Sequence, residues 1–149
     1  MTYSIIAQCP RTGAFGGAVG TSSLAVGNRC LHIKHGIGAV LSQHRTDPRL
    51  GEQGVGLLAD GKSAAEVMAI VTQAEDIGWR QLAALDKDGG TAFHHGRMLY
   101  SITTEAVGER SIAVGNILGN EGITHAMIEA FAAAEAEPLE WRLVRALEA

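Results

Sequence analysis

The chain is poor in the residues that staple or punctuate small folds. It has two cysteines and three prolines in 149 residues, and aromatic side chains make up only 5%. Two cysteines at this length exclude a disulfide framework, and Cys9 and Cys30 form no metal-binding pair, so they read as reduced, structural thiols. Charged residues are sparse at 19%, the formal net charge is −4, and no basic cluster occurs. The electrostatic footprint of a nucleic-acid binder is therefore missing. No apolar run approaches membrane-spanning length, and the start lacks the charged and apolar regions of a secretory leader. The expectation is a cytoplasmic protein that contacts neither nucleic acid nor membrane.

What the chain does have is hydrophobic residues, 46% of the total, and 19 glycines scattered among apolar runs. That composition describes one folded domain over residues 1–149, long enough to bury a core. The first stretch sets the pattern. Thr2, Tyr3, Ile5 and Ile6 suit a half-buried strand, Pro10-Arg11-Thr12-Gly13 is turn chemistry, and Ala14 to Gly20 returns as a strand of small residues. Thr21 to Asn28 is a hydroxyl-rich turn region. Further strands are expected at Gly36–Gln43, Gln81–Asp86, Thr91–His95, Leu99–Thr103 and Arg110–Ile117, the run at Gln81–Asp86 covered on both faces.

Helix signals are sharper. Asp47-Pro48 is an N-cap followed by a first-turn proline, Leu50, Gly54, Leu57 and Leu58 share a face, and Gly61 ends the helix. Ser63 to Glu66 has capping-box form ahead of Val67, Met68 and Val71. Two more helices are expected at Ile123–Glu135 and Leu139–Leu147. Strands in runs followed by helices in runs give an α+β layered fold and no alternating parallel sheet.

The chemistry suggested by the residues begins at Thr2. Removal of Met1 would leave one residue carrying both an α-amine and a hydroxyl at a strand tip, a nucleophile with its own base. The amine titrates near ~8, so part of it is neutral at cellular pH and can accept the hydroxyl proton. Asn116, in a turn after a strand, is the candidate oxyanion donor, and Ser22, Ser23 and His44 are candidates for the substrate-binding wall. Each has a bland alternative: a β-branched residue opening an edge strand, an asparagine turn, exposed loop hydroxyls, and a solvated loop histidine.

Two other patterns compete. Gly56 to Ser63 satisfies P-loop spacing, which would make a nucleotide site, with Leu82 to Asp86 as the strand-end aspartate run. A phosphate cradle needs a strand before its first glycine, and here the preceding residues read as helix. His32 with His35, and His94 with His95, have spacings that put no two rings on one strand face, and no cluster completes a metal set. Neither a metal nor another cofactor is expected.

Several segments in order carry a family likeness: Thr2-Tyr3-Ser4-Ile5-Ile6-Ala7, the Thr12-Gly13 turn, Gly17-Ala18-Val19-Gly20, Leu24-Ala25-Val26-Gly27, and Gly36 through Gln43. Arg80 through Asp86 and Val114-Gly115-Asn116-Ile117-Leu118 continue it. Together they resemble the N-terminal-nucleophile-hydrolase-like proteins of the domain of unknown function 1028 family. The resemblance implies a four-layer αββα sandwich and a relation to enzymes that open amide bonds with an N-terminal Thr, Ser or Cys; the expected reaction is hydrolysis of a small amide by Thr2. Lys34 lies 32 residues after Thr2, and related threonine proteases place a lysine at about that distance to activate the nucleophile. Family members usually continue beyond the last helix into more strand, which leaves the expectation of an incomplete sheet or one completed in a homo-oligomer. The alternative reading is a catalytically inactive ligand-binding or scaffold homologue of the same fold.

Overall fold

The computed structural model describes residues 1–149. There are eight strands: β1 Thr2–Gln8, β2 Phe15–Thr21, β3 Leu31–Lys34, β4 Gly38–His44, β5 Arg80–Asp86, β6 Thr91–His95, β7 Ile102–Gly108 and β8 Ser111–Leu118. The helices are α1 Gly27–Cys30, α2 Pro48–Ala59, α3 Ala64–Val71, α4 Ile123–Ala133 and α5 Leu139–Glu148, with a 3-10 turn at Ile77–Trp79. The strands form two four-stranded sheets, ordered β2-β1-β8-β7 and β3-β4-β5-β6. All pairings are antiparallel.

Alternation along the strands divides the interior into three apolar layers. Between the sheets lie Ile6, Ala39, Leu41, Ala83, Leu85, Ile112 and Val114, all fully buried. The other face of β4 and β5 packs Val40, Leu82 and Ala84 against Leu50, Leu58, Val67, Met68 and Val71 of α2 and α3. The opposite sheet turns Ile5, Ala7 and Ala113 toward Met127, Phe131, Leu143 and Ala146 of α4 and α5. Helices thus cover both outer faces, and the architecture is the expected αββα sandwich. Two close approaches explain small residues in it: a Cβ at Gly20 would sit 2.5 Å from the Tyr3 ring, and one at Gly51 would sit 2.0 Å from the His32 ring.

One expected strand needs correction, one strand was not anticipated, and the P-loop-like run is helical as its context indicated. The strand assigned to Leu99–Thr103 begins only at Ile102 and runs to Gly108. Leu99 instead closes a turn onto the Gly96 carbonyl, and Ser101 takes φ 66°, outside the extended region. A strand at Leu31–Lys34 escapes notice because it is four residues long. Within the P-loop-like run, Gly56 to Ala59 is the end of α2, Ser63 caps α3, and Lys62 pairs with Glu66 at 3.7 Å. Both cysteines are free and buried.

Helix entry at α2 is held by Asp47, whose side chain accepts from the Arg49 backbone N–H at 3.1 Å and the Arg49 guanidinium at 2.9 and 2.8 Å. Those guanidinium bonds hold the Asp47 carboxyl below the usual carboxylate range, outweighing burial, which pushes it up. A depressed carboxyl stabilises the fold above its unfolded pKa of about 3.9, and the benefit disappears as pH falls through the folded value. Asp47→Ala is expected to cost about 1 kcal/mol at pH 7. Urea denaturation should show the gap between the two proteins closing below about pH 4, where the carboxyl protonates; an undiminished gap there would contradict the charge contribution.

Candidate functional site

Antiparallel pairing gathers six strand ends at one mouth of the sandwich: the starts of β1, β5 and β7 and the finishes of β2, β4 and β8. Thr2 pairs with Thr21 on one side and Asn116 on the other. Because Ser4 and Ile6 face the opposing sheet, Thr2 is on that same inward face at the rim. A cleft of about 280 Å³ opens there, lined by Met1, Thr2, Thr21, Ser22, Ser23, His44, Arg45, Tyr100, Asn116 and Ile117. Five of the six residues singled out from sequence therefore meet in one place.

Lys34 does not. It pairs with Gly38, at the end of β4 opposite His44. Six residues of strand separate those ends, about 20 Å at the rise of a β-strand. The β3–β4 hairpin carries Lys34 away from the cleft, so the interval along the chain has no spatial meaning here. The cation in the cleft is Arg45.

The Thr2 hydroxyl lies 3.1 Å from the Thr21 hydroxyl, which also accepts the Ser23 N–H at 3.3 Å. Asn116 is 1% exposed. Its side-chain N–H donates to Gln81 Oε1 at 2.8 Å, leaving a second N–H on the same nitrogen. Gln81 is the node of a buried network. It donates to the Gly115 carbonyl at 2.7 Å and to His95 Nδ1 at 2.9 Å, while its oxygen also accepts from Gln43 at 2.6 Å. Gln43 in turn accepts the Ser4 hydroxyl at 2.7 Å. A backbone carbonyl can only accept, so Gly115 fixes the orientation of Gln81 and every proton downstream. His95 must then carry its proton on Nε2, which donates to Glu105 at 2.8 Å.

His44 is set by similar logic. Its Nδ1 donates to the Trp79 carbonyl at 2.9 Å, which leaves Nε2 as the acceptor nitrogen of the neutral ring. That nitrogen is buried and has no partner. The ring stacks on Trp79 at 6.3 Å and meets the edge of Tyr100 at 5.2 Å.

The backbone around the cleft is strained. His44 (φ 71°) and Ile117 (φ 55°) line it, and Ser101 (φ 66°) follows Tyr100. Ile117 is the extra residue of a β-bulge: Ile102 and Thr103 pair with Leu118 and Asn116, skipping it. A β-branched residue with positive φ costs on the order of 1–3 kcal/mol, and such costs concentrate at functional sites. The bulge turns Ile117 out of the ladder and into the cleft wall.

The other histidines disperse. His94 faces the Ile77 carbonyl at 3.4 Å, on the strand face opposite His95, and His32 reaches the Arg29 carbonyl at 3.2 Å. A wider opening of about 620 Å³ lies beyond Trp79, lined in part by His94, His95 and Met98. Size alone favours it, but the hydroxyls, strained backbone and strand ends all converge on the smaller cleft. Thr21, Arg45, Tyr100 and Ile117 were not anticipated. Thr21 follows from hairpin register, and Arg45 from adjacency to His44; Tyr100 and Ile117 had no local signal.

Fold and cleft together define a four-layer αββα protein with a polar, hydroxyl-lined mouth between its sheets. A model of the family of unknown function DUF1028 matches residues 2–149, and the chain belongs to that family. A crystal structure of protein SPO2555 from Silicibacter pomeroyi, of the same family, is 37% identical and superposes with a TM-score of 0.94. The alignment covers 99% of this chain and 66% of that one, so the chain spans just under two thirds of the relative's length. No curated protein matches. No helix is long and apolar enough to cross a membrane.

The network gives a direct test. Gln81→Leu removes the donors to Gly115 and His95 and the acceptor for Gln43 and Asn116, leaving buried polar groups unpaired at about 1–3 kcal/mol each. Urea unfolding is expected to show a loss of at least about 3 kcal/mol. A loss below about 1 kcal/mol would mean that the seam is hydrated and does not depend on Gln81.

Proposed function

We propose that the protein hydrolyses a small amide, with Thr2 as nucleophile once Met1 has been removed. The observation that carries this reading is the register of β1, which sets Thr2 between Thr21 and Asn116 at the rim of the inter-sheet cleft. The free amine of Thr2 accepts the proton of its own hydroxyl as Oγ1 attacks the substrate carbonyl carbon. The carbonyl becomes an oxyanion, for which the uncommitted N–H of Asn116 and the Ser22 and Ser23 hydroxyls are the donors. The intermediate collapses with cleavage of the C–N bond, and the departing amine takes the proton from the Thr2 ammonium. Water then attacks the ester carbon while the Thr2 amine takes one of its protons; the C–Oγ1 bond breaks, that proton passes to Oγ1, and the acid leaves.

Arg45 supports the same chemistry. A cation in the cleft disfavours protonation of a neighbouring amine, the role that the likeness to threonine proteases suggested for Lys34. His44 is a wall residue, presenting Trp79- and Tyr100-packed surface to the substrate. The relation to N-terminal-nucleophile hydrolases rests on this arrangement of an αββα sandwich with a strand-tip threonine.

The alternative reading turns on the processing of Met1: while it remains, the α-amine of Thr2 is tied up in a peptide bond. A protein that keeps Met1 would be a ligand-binding homologue with no turnover.

The two readings separate in a hydrolysis screen of small amides. Thr2→Ala is expected to abolish turnover, while Thr2→Ser, which keeps hydroxyl and amine, retains a measurable part of it. Undiminished turnover in Thr2→Ala would remove the mechanism.

A further inference from the structure

The lining of the cleft contains no carboxylate and one side chain of fixed charge, Arg45. Its guanidinium carbon lies over the Trp79 ring, 3.8 Å from the centroid. That contact anchors the group while its N–H donors stay free. No ion pair or side-chain hydrogen bond occupies those donors. The acid nearest in sequence, Asp47, is committed: both its oxygens are engaged by Arg49. A second guanidinium, Arg80, lies outside the cleft lining and donates to the Arg45 carbonyl. Arg45 is therefore the one fixed cation in a cleft whose remaining polar side chains are hydroxyls, an amide and an imidazole, in a protein of net charge −4.

We infer that this cleft selects amides that carry a carboxylate, with Arg45 as the residue that binds it. This rests on the reading of the cleft as the substrate site, and it names the substrate class. A planar guanidinium presents paired N–H groups matched to the two oxygens of a carboxylate. Preorganisation on Trp79 lowers the rotamer cost of forming that pair. The hydroxyl side of the cleft, at Thr2, Ser22 and Ser23, then receives the amide. Arg45 is a specificity residue that makes no bond to the reacting atoms and acts on the Thr2 amine through its charge alone.

The test is equilibrium binding, in which turnover plays no part. Thr2→Ala protein is titrated by calorimetry with N-acetylglycine, N-acetyl-β-alanine and N-acetyl-γ-aminobutyrate, and with the neutral carboxamide of each. The series spans several distances between amide and carboxylate. At least one acid is expected to bind about five-fold or more tighter than its carboxamide, a preference that weakens with added salt. Arg45→Gln in the same background is expected to erase the preference, with Arg45→Lys restoring only part of it. Equal binding of acids and carboxamides, binding of none of them, or a preference that survives Arg45→Gln would overturn the inference. Turnover of neutral amides without acid preference would overturn it and leave hydrolysis standing. Acid preference without turnover would do the reverse.

Discussion

The two sheets are locked to one another by the side chain of Gln81. Most of the inter-sheet layer is aliphatic and would tolerate small slides, since dispersion contacts have no direction. Gln81 has direction. Its four hydrogen bonds reach Gly115 and Asn116 in β8, Gln43 in β4 and His95 in β6, and Gln43 extends the chain to Ser4 in β1. Each bond requires the register that makes the others, so one carbonyl fixes the relative placement of both layers. The polar seam lies toward the mouth of the sandwich, where strand ends meet, and the aliphatic residues fill the rest.

That placement has a functional consequence. Asn116 is held by Gln81 on the inner side, and Thr2 pairs with Asn116 across the ladder, so the rigid seam also positions the rim. Beyond Asn116 the chain departs from regular geometry at Ile117, and β4 departs from it at His44. A rigid seam beneath a strained rim is the arrangement expected where side chains are aimed at a ligand rather than packed for stability. The Trp79 carbonyl and ring complete the wall, the former holding His44 and the latter Arg45.

Much of this was legible in the sequence where the cause is local. Asp47-Pro48 and the Ser63–Glu66 box announce helix starts because capping is decided within a few residues. The buried run at Gln81–Asp86 identifies a central strand by its lack of alternation. Thr2, Ser22, Ser23, His44 and Asn116 come together because strand ends in antiparallel hairpins return to the same place. What failed was non-local. Lys34 was placed by counting residues, and a hairpin reversed its direction. The start of β7 was misplaced because Leu99 to Ser101 has strand-like composition, while the turn that excludes it depends on Gly96 and on φ at Ser101. Glu105 escaped notice because an inward carboxylate makes sense only beside His95, which register alone supplies.

The central claim is that the chain presents a threonine hydroxyl and a free amine on one residue at the mouth of the sandwich. The measurement that tests it most directly is the intact mass of protein expressed from its own start without a tag. The account predicts a mass short by one methionine residue, which exposes the Thr2 amine beside Thr21 and Asn116. A mass that retains Met1 would contradict it and leave the cleft as a binding site without a nucleophile.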